Sequence, residues 1–351
     1  MARKRKSKSA RGRKPKSVVT LSDAWRAWVA ENLVAGWSKT ELVDRLVEQG
    51  VSVSIAVAEV TAIERSPAMP GCHALYRRVQ QVEFVMRLQN EHRACAPDAG
   101  TVERRASVGA QEFFQRYYAT NQPVVLTDVV GDWPARHWSP AGFRERFGDL
   151  EVEICAGRNA DPACDRNFEA LKTKMNMRTF LDQVERVGES NDVYLIANNR
   201  ALERPEFSAL FEDVTPDPTI FDPARMTGAT SLWIGPAGTV TPLHHDVSNI
   251  LFCQIYGRKR FTLIAPTETA LFPDCEGFYV HVDPAHPSPS DNPDYEGVLV
   301  KTVDLQPGEA LFIPAGWFHE VRSLDVSISF SLLNFRRPNN FGWYRPGHSA
   351  P

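Results

Sequence analysis

The chain is expected to fold mainly as β structure behind a helical N-terminal part, and three observations lead there. From Thr230 onward short apolar runs such as Leu232–Gly235, Ile250–Ile255 and Arg260–Ile264 follow one another, separated by Gly and Pro turns. Before about residue 95 the apolar residues instead recur at helical spacing between recognisable caps. With 351 residues, 43% hydrophobic and 24% charged, the chain can bury one substantial core and a smaller companion. The expected division is a basic tail over 1–17, a helical domain over 18–99 and a closed or sandwiched β domain over 100–351.

The tail, MARKRKSKSARGRKPKS, holds nine Lys/Arg and no acid, which leaves 31 basic against 43 acidic residues in the remainder. Such a segment cannot build a core and is expected to be disordered, as a contact for nucleic acid, ribosome or another polyanion or as a solvated tail. Ser22 caps a first helix carrying Trp25, Trp28, Val29 and Leu33, and Gly36 ends it. Ser38 and Glu41 form a capping box for a second, with Leu42, Val43, Leu46 and Val47 as its apolar face. Ser54 opens a third through Arg65. A fourth follows Pro70-Gly71 with Leu75, Val79, Val82, Val85 and Leu88 on one side. The helix 54–65 carries almost no Arg, Lys, Asn or Gln in its first turns, so a packing or docking bundle is favoured over a DNA reader.

Residues 96–110 read as a linker. After it come a helix over Ala110–Ala119, a buried strand over Gln122–Leu126, a helix over Pro140–Phe147 and a strand over Val152–Cys155. Met177–Val187 is expected as a helix and Asn191–Ile196 as a strand, before the β-rich half begins. No run of about eighteen apolar residues suggests a membrane span, and the N-terminus lacks the apolar stretch of an export signal. Six cysteines without a C-x-x-C pair fit free thiols in a reducing cytoplasm, which is the expected location.

The chemistry concentrates in TVTPLHHDVSNILFCQIYGRKR at 239–260 and IPAGWFHEV at 313–321. On an extended strand i and i+2 project to one side, so His244 and Asp246 can meet one metal ion, with His319 as third ligand. Two histidines and a carboxylate leave open positions, the arrangement of non-haem Fe(II) oxygenases. His245 points to the other face and is not expected to ligate. Period two also places Ile250 inward with His244, Phe252 and Gln254, and Asn249 outward.

TPLHHD, Gln254-x-x-Gly257-x-Lys259-Arg260, DNPDYE at 291–296, QPGEALFIPAGWFHEV and Asn334-Phe335 together resemble the cupin-like JmjC oxygenases, including the factor-inhibiting-HIF type of asparaginyl hydroxylase and bacterial relatives. The resemblance covers roughly 100–340 and implies a double-stranded β-helix, or jelly roll. It also implies Fe(II) at His244, Asp246 and His319 and 2-oxoglutarate as co-substrate. By the same resemblance Lys259 pairs with the distal carboxylate, joined by Thr241 and Tyr194, while Asn334 sits near the metal-bound end. Where family members commonly carry an asparagine six residues after the first ligand, this chain has Ile250. Trp233 and Trp317 either wall the site or belong to the core. The expected function is hydroxylation of a side chain of a protein or peptide substrate. Two alternatives stand beside it: an oxygenase acting on a small molecule, and a catalytically silent cupin serving as a binding module.

Overall fold

The computed structural model describes residues 21–285, Tyr295 and residues 297–342; the basic tail and all of the DNPDYE motif except Tyr295 lie outside them. Its elements divide into two compact units, 1–85 and 86–351. The expected boundary at 99/100 therefore moves back to 85/86. The last turns of the fourth helix belong to the larger unit, where Asn90 Nδ2 donates to Thr267 O at 2.9 Å and the Arg93 guanidinium lies 5.8 Å from the Trp317 ring.

The smaller unit contains α1 (Asp23–Val34), α2 (Lys39–Glu48), α3 (Val53–Glu64) and the start of α4 (Met69–Ala94). Ser22 Oγ accepts from Trp25 N, and the Ser38/Glu41 box closes with both its hydrogen bonds. Leu33, Leu42, Leu46, Ala56 and Val60 form the core, and Arg26 on α1 makes two 3.0 Å hydrogen bonds to Glu59 on α3. Helix α3 starts at Val53 after Ser52, earlier than expected. Helix α4 includes Pro70 and Gly71, because a proline in the first turn loses no intrahelical donor.

In the larger unit the strands are β1 (Glu103–Arg105), β2 (Val124–Leu126), β3 (Glu151–Ala156), β4 (Lys172–Asn176), β5 (Val193–Tyr194), β6 (Thr230–Gly235), β7 (Val240–His245) and β8 (Ile250–Tyr256). They continue as β9 (Lys259–Ile264), β10 (Cys275–Glu276), β11 (Tyr279–Val280), β12 (Val300–Leu305), β13 (Ala310–Ile313), β14 (Phe318–Ser323) and β15 (Ser327–Leu332). The expected linker thus contains a strand, β1, running parallel to β2. One sheet has the order β1-β2-β13-β8-β15-β6 and the facing one β10-β11-β7-β14-β9-β12, with a small sheet β4-β3-β5 beside them. The eight strands β6–β9 and β12–β15 pair antiparallel, four in each large sheet, which is the jelly roll.

Helices α5 (Ala110–Glu112, continued by a wider turn to Tyr118), α6 (Pro140–Phe147) and α7 (Met177–Arg186) belong to the same unit. Phe113, Tyr117, Phe143 and Phe180 share one core with Leu251, Cys253 and Ile255 on the outward face of β8. The inward face of that strand packs Phe252 with Phe261, Leu263, Leu311 and Trp317. Burial on both faces explains why β8 reads as a continuous apolar run instead of alternating.

Candidate metal centre and its cavity

His244 lies at the end of β7, Asp246 just past it, and His319 lies on β14 directly opposite His244. Their ligand-capable atoms all fall within 4.8 Å of one another. Asp246 Oδ2 is 3.9 Å from His244 Nε2 and 3.5 Å from His319 Nε2. Each imidazole is oriented through its other nitrogen: His244 Nδ1 is 2.7 Å from Pro242 O and His319 Nδ1 is 2.9 Å from Trp317 O. With Nδ1–H donating to a carbonyl, each ring turns a lone pair at Nε2 toward the carboxylate, as metal-binding histidines do. Burial, then the neighbouring His244, lowers the His319 pKa to about 4, so the ring is neutral at pH 7 and its lone pair is available. The donor set and its outer hydrogen bonds fit Fe(II).

A bulge in β7 makes this geometry. Between the pairs His319↔His244 and Val321↔Thr241, Pro242 and Leu243 oppose the single residue Glu320. Proline has no N–H for the ladder, and a bulge accommodates it. The extra residue also reverses parity. Thr241 and His244, three apart, would face opposite sides of a regular strand, yet both line one cavity of about 270 Å³.

Asp246, His319, Tyr194, Trp233, Ile250 and Phe252 line the same cavity. Lys259 is not itself on the wall but packs against three residues that are: Nζ is 5.2 Å from the Tyr194 ring, 5.9 Å from Trp233 and 5.2 Å from Phe252, and it donates to Tyr194 Oη at 2.8 Å. The ammonium is fully buried, and among the described residues no carboxylate is in ion-pair reach. Burial lowers its pKa to about 7. The Tyr194 hydroxyl is shifted the other way, chiefly by burial. A Cβ on Gly235 would stand 2.7 Å from the Tyr194 ring, so the glycine is what lets β6 pass so close. At Gly257, with φ +67°, a Cβ would stand 2.1 Å from Val326 O, which fixes the turn delivering Lys259.

The remaining expectations divide. Ile250 faces the cavity, whereas Asn249 is a clamp: its Nδ2 donates to Asn339 Oδ1 and its Oδ1 accepts from Ala315 N, both at 2.9 Å. His245 faces away, edge-on to Phe278 and Phe318. Gln254 does not line the cavity; its amide donates to Tyr256 O and Gly257 O at 2.8 Å. Trp317 is core, with Nε1 donating to Asn121, and serves the site through its carbonyl alone. Asn334 requires a correction. Leu333 is on the cavity wall and Asn334, its neighbour in extended chain, turns the other way, donating to Asp222 O at 2.8 Å.

Sequence reasoning missed Asp165, Tyr279 and Ser331 on the wall and the buried Arg158 behind Asp165. Arg158 and Asp165 lie in an irregular segment with no periodic pattern to mark them.

A family model described as a cupin-like domain matches residues 110–340. The chain is 32% identical over 232 residues to Jumonji C domain-containing protein 5 of Drosophila melanogaster, covering 63% of this chain and 57% of that protein. It is 30% identical over 230 residues to lysine-specific demethylase 8 of Xenopus tropicalis (63% and 50%) and 28% over 240 residues to lysine-specific demethylase JMJ30 of Arabidopsis thaliana (66% and 54%). The chain therefore spans about half the length of these curated relatives. None of the three names is that of an asparaginyl hydroxylase.

Proposed function

The chain belongs to the cupin-like family, and from that premise we propose that it is an Fe(II)- and 2-oxoglutarate-dependent oxygenase hydroxylating a side chain of a protein or peptide substrate. One observation carries the reading: a His-Asp-His cluster lines a cavity, and a buried ammonium without a carboxylate partner among the described residues lies against Tyr194, Trp233 and Phe252 of that cavity's wall. A buried charge is strongly unfavourable unless compensated, so Lys259 marks the place of an anion.

When bound, iron and 2-oxoglutarate together supply the oxidising power that places one oxygen atom of O2 on a substrate C–H bond while the co-substrate loses CO2. The protein's share is orientation and exclusion of water. His244 and His319 offer Nε2, held by Pro242 O and Trp317 O, and Asp246 offers its carboxylate. Lys259 Nζ, bonded to Tyr194 Oη, and the hydroxyls of Tyr194 and Thr241 would hold the distal carboxylate of 2-oxoglutarate. Trp233, Phe252 and Ile250 keep that end dry. A more open apolar cavity of about 560 Å³ shares Asp246 and Val247 with the first and supplies room for the substrate. The nine basic residues of the tail recruit an anionic partner, such as a ribosomal or nucleic-acid-associated component. The names of two relatives favour a second reading, in which the same oxidation strikes an N-methyl carbon and releases formaldehyde.

The test is iron content and succinate formation in the wild type and in His244→Ala, Asp246→Ala and His319→Ala. The wild type should bind iron and form succinate, and each variant should lose both with an unchanged circular dichroism spectrum. Normal turnover in any variant removes that residue from the triad, and iron binding without succinate leaves a silent binding module. Mass spectrometry of lysates treated with wild type or His244→Ala then separates peptides that gain one oxygen atom from methyl loss with formaldehyde, and both from oxidation of a small metabolite.

A further inference from the structure

Two residues of the triad are tied to one short turn, 314–317, which connects β13 to β14. Gly316 N donates to Asp246 O at 2.8 Å and so fixes the backbone that carries the carboxylate. Trp317 O lies 2.9 Å from His319 Nδ1 and sets the rotation of that ring. Whatever holds the turn therefore enters the geometry of the metal centre. Two asparagines hold it. Asn249 Oδ1 accepts from Ala315 N, and Asn339 Nδ2 in turn donates to Asn249 O, both at 2.9 Å. Asn121 Nδ2 donates to Ala315 O at 3.0 Å, while the Trp317 indole N–H donates to Asn121 Oδ1 at 2.8 Å and to its backbone O at 3.0 Å. The Trp317 side chain, buried among apolar residues, thus has its one polar atom committed to Asn121.

The backbone of Asn121 shows why an asparagine stands there. Its φ is +55°, in the left-handed region that costs most side chains energy and that asparagine tolerates better than they do. The position ends the wider helical turn at Tyr118: Asn121 N bonds to Tyr118 O at 3.4 Å and Gln122 N to Tyr117 O at 3.0 Å. Glycine is the residue that such a left-handed cap favours by conformation alone. Glycine has no amide, however, and the amide is what reaches Ala315 and Trp317, 194 positions further along the chain in the first case. We infer that Asn121 is a positioning residue for the metal centre: it fixes Trp317 so that the Trp317 carbonyl turns His319 Nε2 toward Asp246. The inference rests on the reading of His244, Asp246 and His319 as the metal site. It extends the outer shell of that site from the carbonyl on His319 to the side chain that holds the carbonyl in place.

Co(II) is the probe, since it accepts the same nitrogen and oxygen donors as Fe(II) and its visible absorption reports the arrangement of the ligands. Asn121→Gly keeps the left-handed cap and the backbone acceptor of the indole and removes only the amide, so it should fold with unchanged circular dichroism. It should bind Co(II) about tenfold more weakly than the wild type and with an altered visible spectrum, as when outer partners of metal-bound histidines are lost. Trp317→Phe, which deletes the indole N–H, should weaken Co(II) binding by a similar factor. The double variant should lose clearly less than the product of the two factors, because both changes break one contact. Asp213→Ala removes the partner of another indole N–H, that of Trp138 at 2.8 Å, which packs on Phe143; it should leave Co(II) affinity and spectrum as in the wild type. Wild-type affinity and spectrum in Asn121→Gly, fully multiplicative losses in the double variant, or an equal loss in Asp213→Ala would each overturn the inference while the metal site stands. A wild type that binds no Co(II) would overturn the reading of the triad itself, and the inference with it.

Discussion

Two buried cations lie within 6 Å of the Tyr194 ring, and the protein treats them differently. Arg158, 5.5 Å from the ring, donates to Asp165 Oδ2 at 3.1 Å and to Val240 O at 2.9 Å, with Asn191 completing its shell. Lys259, 5.2 Å from the same ring, has Tyr194 Oη as its hydrogen-bond partner and three aromatic rings around it. The first is a finished structural pair; the second has no carboxylate partner among the described residues. Burial of a cation therefore does not by itself mark a ligand site, whereas burial without an internal anion does.

The sharpest way to break the comparison is to remove each cation. Arg158→Ala strands the Asp165 carboxylate in a buried place and should cost about 3–5 kcal/mol of stability in urea titration. Lys259→Ala removes an uncompensated charge, so the ligand-free protein should lose no more than about 1 kcal/mol or gain stability, while calorimetric affinity for 2-oxoglutarate falls on the order of 100-fold or more. Equal losses of stability would mean that Lys259 has a protein counter-ion, and an unchanged affinity would detach the co-substrate from this corner.

Acidity sharpens the contrast by a smaller amount. Burial lowers Lys259 from 10.5 to about 7, so between those values the unfolded chain holds the proton that the folded one releases. The penalty is full below about pH 7 and relieved as pH rises toward 10.5, so ligand-free stability should gain a positive slope in that window that Lys259→Ala lacks. Anion binding needs the charged form. Affinity for 2-oxoglutarate in the wild type should therefore fall up to about tenfold per pH unit above 7. A flat profile would place Lys259 fully charged without its ligand.

The smallest effect belongs to Asn334. Because its amide serves Asp222 O and not the cavity wall, Asn334→Ala should cost about 1 kcal/mol in stability and shift the KM for 2-oxoglutarate by less than about threefold. A tenfold KM change would return it to the site.

Much of the molecule was legible in the chain. Caps at Ser22 and Ser38, the helix 140–147 and the short strands after Thr230 are local patterns that neighbouring residues impose on the backbone. The triad was legible for a similar reason, since His-x-Asp puts two donors on one side within three residues. That Lys259 turns inward is what the resemblance leads one to expect, whereas spacing alone leaves a lysine after a hairpin glycine free to face either way.

Tertiary structure decided the rest. Thr241 reaches the cavity because β7 bulges at Pro242 against Glu320, and a bulge is a property of two strands in register. The Arg158–Asp165 pair forms where an irregular segment folds against β7, which no periodicity announces. Leu75, Val79 and Val82 have the spacing of a core face and remain exposed. Sequence determines that a face is apolar, through the period of its side chains. Which surface covers it depends on where separate elements meet, and only the folded chain fixes that.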